Sequence, residues 1–280
     1  MLKQRVLTAI VLLVILAAAV SASSNWPFLI FISAACGLAG WEWARLTTVR
    51  LPWAPVVIGL ALTASTILQA YVWQNESTKN LQLLNVLVYV SVLTWVFAIL
   101  PTLFRGDAQS SPSSLIWTLF APIALFTTCS ALTYFYISHS AGYVLSVLVL
   151  IWIADIAAYF AGKAFGKHKL APRISPGKTM EGAFAGVLGV VLWVLITALF
   201  WDDSFGSVLV KKWGWLMASV FAVILAIISI AGDLFESLLK RRAGVKDSSA
   251  LLPGHGGVYD RIDAVVAVVP LAYLLTELLS

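Results

Sequence analysis

The sequence predicts an all-helical protein threaded repeatedly through a lipid bilayer, and three observations carry that expectation. Of its 280 residues, 61% are hydrophobic and 11% charged, against roughly 45–50% apolar and about 25% charged in an ordinary soluble domain. Apolar runs of about 20 residues, the length that crosses about 30 Å of hydrocarbon as a helix, recur down the whole chain. The basic residues gather in alternate loops, the distribution that fixes the orientation of a polytopic protein.

Apolar runs set against turn residues place nine spans, at about 6–22, 26–44, 53–74, 82–104, 114–136, 142–163, 182–201, 213–236 and 258–279. The opening segment has a basic start but no small-residue cleavage site before Trp26, so it reads as the first span and not as a removed signal. With the N-terminus on the cytoplasmic side, the inner segments hold Lys3, Arg5, Arg45, Arg50, Arg105, Lys163, Lys167, Lys169, Arg173, Lys178, Lys240, Arg241, Arg242, Lys246 and Arg261. The outer segments hold Lys79, Lys211 and Lys212; fifteen and three account for all 18 basic residues, and the C-terminus then lies outside, on the periplasmic side.

Trp26, Trp53, Trp73, Trp201, Trp213 and Trp215 fall near span ends, where amphipathic rings settle at headgroup level. Cys36 and Cys129 lie inside apolar stretches and read as small hydrophobes. His139 and His168 are lone loop histidines with no expected role. In the first 140 residues ionisable groups are nearly confined to loops; the exception, Glu42, is expected to pair with nearby Arg45 at the interface.

Carboxylates are concentrated further on, at Asp155, Glu181, Asp233, Glu236, Asp247, Asp260 and Asp263. A charge within a span costs about 2.5–3.5 kcal/mol on insertion scales, so such residues point to function. Asp155 precedes Lys163 by eight residues, which at 1.5 Å per residue sinks it roughly 12 Å, to lipid-headgroup depth. The following Ser175-Pro176-Gly177-Lys178-Thr179 stretch sits ahead of the next helix, whose N-terminal amides favour anions, and Lys178 reads as a phosphate ligand.

A second cluster runs from Gly232 to Asp263. Asp233, Ser237 and Lys240 form a polar stripe at i, i+4 and i+7, and Asp260 and Asp263 open the last span one turn apart. Oxygen ligands of this kind suit Mg²⁺, which keeps waters and binds substrate phosphates; Asp233 and Asp260 are the expected ligands, helped by Asp263 or Asp155. Gly254, Gly256 and Gly257 flank His255 in a turn whose amides could cradle a phosphate, with His255 hydrogen-bonding phosphate or base. Lys240, Arg241, Arg242, Lys246 and Arg261 surround the acids, and a site for metal and phosphates needs both signs.

The 27 residues from Ser237 to Asp263 contain Ser, Lys-Arg two residues later, Lys-Asp four further on, then Pro-x-His-Gly-Gly and Asp-Arg-x-Asp. This pattern resembles the phosphatidate cytidylyltransferases (CDP-diacylglycerol synthases), and the stretch from Asp155 to Gly182 is similar to the same family. The resemblance implies an all-α membrane fold, a homodimer, and cytidylyl transfer from CTP to phosphatidic acid. It also implies Mg²⁺ with K⁺ as a second ion at Asp233 and Asp260. Ser175, Lys178, Ser237, Lys240, Arg241, Lys246 and Asp247 are implied in nucleotide or lipid binding, with membrane lipids and no nucleic acid as partners. Residues 1–140 would be a transmembrane scaffold, and 141–280 the catalytic region with loops 163–181 and 237–258, at the cytoplasmic face of a bacterial inner membrane. A CTP-dependent lipid kinase and a cation-coupled transporter are the competing classes.

Overall fold

Hydrocarbon offers a backbone no hydrogen-bond partner, so each crossing segment closes its own ladder as a helix. The computed structural model describes residues 2–48, 51–75 and 80–279; Arg50 and Lys79, both counted in the charge bias, lie outside the described residues. Among the described residues each of the nine expected spans is helical: α1 (Leu2–Val20), α2 (Trp26–Thr47), α3 (Ala54–Asn75), the α4–α5 rod (Gln82–Thr94 and Leu100–Arg105), α6 (Leu115–Ser138), α7 (Ala141–Phe165), α8 (Met180–Phe200), α9 (Phe205–Arg242) and α10 (Tyr259–Tyr273). Seven of these segments, α2 to α9 with α4 and α5 counted as one, are long and apolar enough to cross a membrane. The protein is an all-α polytopic membrane protein.

A π-helical turn, Trp95–Ile99, joins α4 to α5, and the Leu100 amide there reaches back to the Trp95 carbonyl. Pro101 follows; it has no N–H and crowds the carbonyl four residues back, which the wider turn relieves. Before the eighth span a short helical stretch runs from Phe205. At Gly214 the backbone leaves the helical region (φ 74°, ψ 166°), so α9 is two helices joined at a kink and the second of them starts close to the expected 213. The expected loop 163–181 holds an antiparallel hairpin, β1 (Lys169–Ala171) with β2 (Ser175–Thr179), pairing Lys169 with Thr179 and Ala171 with Ser175. Thr179 then caps α8, its hydroxyl accepting from the Gly182 amide at 3.2 Å.

Burial orders these helices. From Ala264 to Tyr273 every residue of α10 is buried, packed by α9, α6, α4, α7 and α2, as a helix apolar on all sides must be. The short polar start of α10 is thereby held against α9. The crossing is close at Gly232: a Cβ there would lie 2.7 Å from the Asp263 carbonyl oxygen and 2.8 Å from the Ala264 Cα. Beneath the polar end of these two helices sits an aromatic cluster. Trp43 stacks on Tyr259 with centroids 4.9 Å apart, and Phe235 meets Trp43, Trp95 and Trp117 at 5.6, 5.7 and 5.0 Å.

Of the tryptophans read as interface anchors, Trp53 and Trp215 are exposed. Trp73 is instead buried, edge-on to Tyr134, and the Trp213 indole donates to the Leu275 carbonyl at 2.9 Å. Cys36 and Cys129 are free and buried, as expected. The histidines are not alone. His139 lies 3.0 Å from Glu277 and His168 2.7 Å from Glu181, partners 138 and 13 residues away in sequence.

Replacing Gly232 by Val forces a side chain into the α9–α10 crossing, and thermal unfolding of the detergent-solubilised protein is expected to show a loss of about 1–3 kcal/mol or more. A wild-type midpoint in that variant would contradict the close crossing.

Candidate active site

Three carboxylates meet where α9 crosses α10. One oxygen from each of Asp233, Glu236 and Asp263 lies within 4.8 Å of the others. At an effective dielectric of about 20, each like-charged pair at such a distance costs about 3–4 kcal/mol, so the arrangement requires protons or cations. Two lysines supply part of the answer. Lys178, carried by β2, pairs with Asp233 at 2.7 Å. Lys240, two turns beyond Asp233 on α9, sits between Glu236 and Asp260, its ammonium 2.6 Å from an oxygen of each. The second Glu236 oxygen is buried and has no hydrogen-bond partner. An oxygen-only set with an unsatisfied buried acceptor fits a hard cation. Asp233, Glu236 and Asp263 can therefore hold a metal ion.

Asp260, in the first turn of α10, faces the loop that precedes that helix. Its Oδ1 accepts from Lys240, while Oδ2 accepts from the Ser248 amide at 2.9 Å, the Ser248 hydroxyl at 2.8 Å and the Gly257 amide at 2.7 Å. It joins the metal-competent trio through Lys240 and Glu236, not by direct grouping with Asp233. Ser237, one turn after Asp233, donates to it at 3.3 Å. Asp155 on α7 lies within electrostatic reach of Asp233, Lys178 and Arg261.

The remaining expected residues form the rim. Arg241 donates to the Ile174 carbonyl at the tip of the β hairpin, tying α9 to the strand that carries Lys178. Arg261 donates to the His255 carbonyl at 2.8 Å, and the His255 Nδ1 is buried without a partner. Lys246 and Asp247 are exposed on the 243–258 loop, and Ser175 opens β2, half-buried. The Gly256-Gly257 turn differs from the expected phosphate cradle in one respect. The amides of Gly257, Val258 and Tyr259 point at carboxylates of this chain: Gly257 at Asp260, the other two at Glu42.

Glu42 is the residue that reasoning from sequence misplaced. It makes no ion pair with Arg45; among the described residues Arg45 instead lies over the Trp41 ring at 4.6 Å. Glu42 is fully buried and reaches the 248–259 segment, more than 200 residues away in sequence. Glu236 was legible as a carboxylate of the right helix but not as a member of the site. Its i+4 spacing to Lys240, which places the two on one face, was the available signal.

The fold and site define a polytopic membrane protein that brings carboxylates, lysines and arginines together at one end of a helical bundle. A family model described as the cytidylyltransferase family matches residues 3–279. The chain is 36% identical over 273 residues to the phosphatidate cytidylyltransferase of Pseudomonas aeruginosa, covering 96% of this chain and 95% of that protein. It is 34% identical over 282 residues to the Haemophilus influenzae phosphatidate cytidylyltransferase, covering 96% of each. The Thermotoga maritima protein of that name is 38% identical over 181 residues, 63% of this chain and 66% of that protein. The chain belongs to the cytidylyltransferase family.

Lys240→Met leaves two buried carboxylates without their shared cation, and breaking such a pair costs about 3–5 kcal/mol. Thermal unfolding is expected to show a large loss for this variant and partial recovery in Lys240→Met with Glu236→Gln, which removes one of the stranded charges. Equal losses in the two would contradict the bridging role.

Proposed function

We propose that this protein transfers a cytidylyl group from CTP to phosphatidic acid, releasing pyrophosphate and forming CDP-diacylglycerol for phospholipid synthesis. The observation that carries the reading is the placement of the carboxylate trio beside Lys178 and Lys240, with Arg241 and Arg261 on its rim. Such a site accepts two phosphate-bearing substrates and one or more cations. The full-length similarity to proteins named phosphatidate cytidylyltransferase supports the choice of substrates.

The lipid phosphate is ionised at neutral pH and attacks the α-phosphorus of CTP. The new oxygen–phosphorus bond forms as the bond to the β-phosphate oxygen breaks, and pyrophosphate carries away the electron pair. No protein nucleophile and no general base are required. Catalysis is then a matter of holding two anions in line and meeting the charge that develops. Lys178, Lys240, Arg241 and Arg261 are the residues we assign to phosphate oxygens, with Ser175, Ser237, Lys246, Asp247, Asp155, His255, Gly256 and Gly257 completing the nucleotide and lipid contacts. Mg²⁺ bound by Asp233, with Glu236, Asp263 and Asp260 about it, would neutralise triphosphate charge and act as a Lewis acid; K⁺ is the proposed second ion.

We further assign residues 1–140 to a scaffold, 141–280 to the catalytic region, a homodimeric state, and a bacterial inner membrane with the site on the cytoplasmic face. The charge bias of the loops supports that orientation.

The test uses CTP labelled at the α-phosphate, with phosphatidic acid, in sealed vesicles of both orientations. Label is expected in the lipid phase only with Mg²⁺, only in inside-out vesicles, and not after chelation or in Asp233→Asn. Lipid labelled by γ-labelled CTP alone would replace this reading with a lipid kinase, and lipid labelled in right-side-out vesicles alone would reverse the topology.

A further inference from the structure

We propose that Glu42, supplied by the second span, is a positioning residue for the reaction: it fixes the Gly-Gly turn and the first turn of α10, and through Ser248 the Asp260–Lys240–Glu236 chain. The inference deepens the cytidylyl-transfer reading and rests on it.

Glu42 is completely buried, and no basic side chain among the described residues forms an ion pair with it. A buried carboxylate without a cation is costly unless donors replace its water. Four do so. Oε2 accepts from the Tyr259 amide at 2.6 Å and shares the single Ser248 hydroxyl proton, at 3.0 Å, with Asp260; Oε1 accepts from the Ser249 hydroxyl at 2.5 Å and the Val258 amide at 3.0 Å. Two of these donors are the first amides of α10, which also direct the positive end of the helix dipole at the carboxylate. The fit leaves no slack: a Cβ on Gly257 would collide with Ser248 Oγ and Glu42 Oε1. The neighbouring Trp43 stacks on Tyr259 and braces the same turn from below.

The consequence for chemistry runs through one hydroxyl. Ser248 Oγ lies within hydrogen-bond distance of both Glu42 and Asp260, and Asp260 shares Lys240 with Glu236. The carboxylate of α2 therefore sets where the α10 start stands relative to the α9 charges. Glu42 is too deeply enclosed to touch substrate, so its effect is on alignment and not on binding. The first 140 residues thus contribute to the site as well as to the bundle.

Glu42→Gln keeps the shape but turns one accepting oxygen into a donor facing donors. In labelled-lipid assays this variant is expected to lose kcat about 10- to 100-fold, the usual cost of an orienting partner. KM for phosphatidic acid should change less than about threefold, as for an interaction that acts on alignment. Amide hydrogen exchange should quicken in residues 247–259 and stay at the wild-type level in α7 and α8. Wild-type kcat, or a lost kcat with unchanged protection of 247–259, would overturn the proposal. If Glu42→Gln loses protection in every helix, Ser248→Ala decides. A kcat loss of about tenfold with faster exchange confined to the loop supports the chain, and wild-type kcat overturns it. Wild-type protein that labels no lipid would instead defeat the reaction assigned above, and the exchange arm would still report whether Glu42 holds the loop.

Discussion

A single ammonium group, that of Lys240, holds the polar end of this bundle together. It stands between Glu236 and Asp260, with side chains 2% and 4% exposed, where an unpaired charge would cost several kcal/mol. Because Glu236 and Lys240 lie on α9 while Asp260 lies on α10, the pairing is also a register: it sets how far α10 has slid along α9. Around it the other compensations follow the same rule. Lys178 neutralises Asp233 from the β hairpin, and Glu42 is satisfied by two hydroxyls and two amides. Two lysines thus serve three carboxylates, while Asp263 has no ion pair among the described residues and the second Glu236 oxygen has no partner, and an excess of negative charge facing a basic rim is the condition under which a cation and phosphates bind together.

The apolar part of the structure makes this possible. Gly232 admits α10 to the surface of α9 with no side chain between them, which brings Asp263 to the level of Asp233. Burial of α10 from Ala264 to Tyr273 means that its polar start cannot drift without breaking contacts to several helices. The aromatic cluster of Trp43, Phe235 and Tyr259 closes the interior directly beneath the charges, separating a wet end of the bundle from a dry one.

Much of this was legible in the sequence, for a physical reason. Hydropathy reports crossings because each crossing must be apolar along its whole length; among the described residues all nine expected spans are helical, and seven of the segments are long and apolar enough to cross. The dense polar segment from Ser237 to Asp263 stood out against that background, and its resemblance to the cytidylyltransferases agrees with the family match over residues 3–279. Contacts between distant segments were not legible. Glu42 has Arg45 three residues away and is read locally as its partner, yet its donors come from residues 248, 249, 258 and 259. The partnership of His139 with Glu277 was hidden in the same way. The hairpin at 169–179 was missed because its strands are short and its Pro and Gly residues signal a loop.

The central claim is that the α9–α10 carboxylates form the cation site. Electron paramagnetic resonance of purified protein titrated with Mn²⁺, a spectroscopic stand-in for Mg²⁺, tests it directly and without turnover. The account predicts saturable bound Mn²⁺ in the wild type and its loss in Asp233→Asn and in Asp263→Asn. Retention of the bound signal in both variants, with the proteins folded, would contradict it.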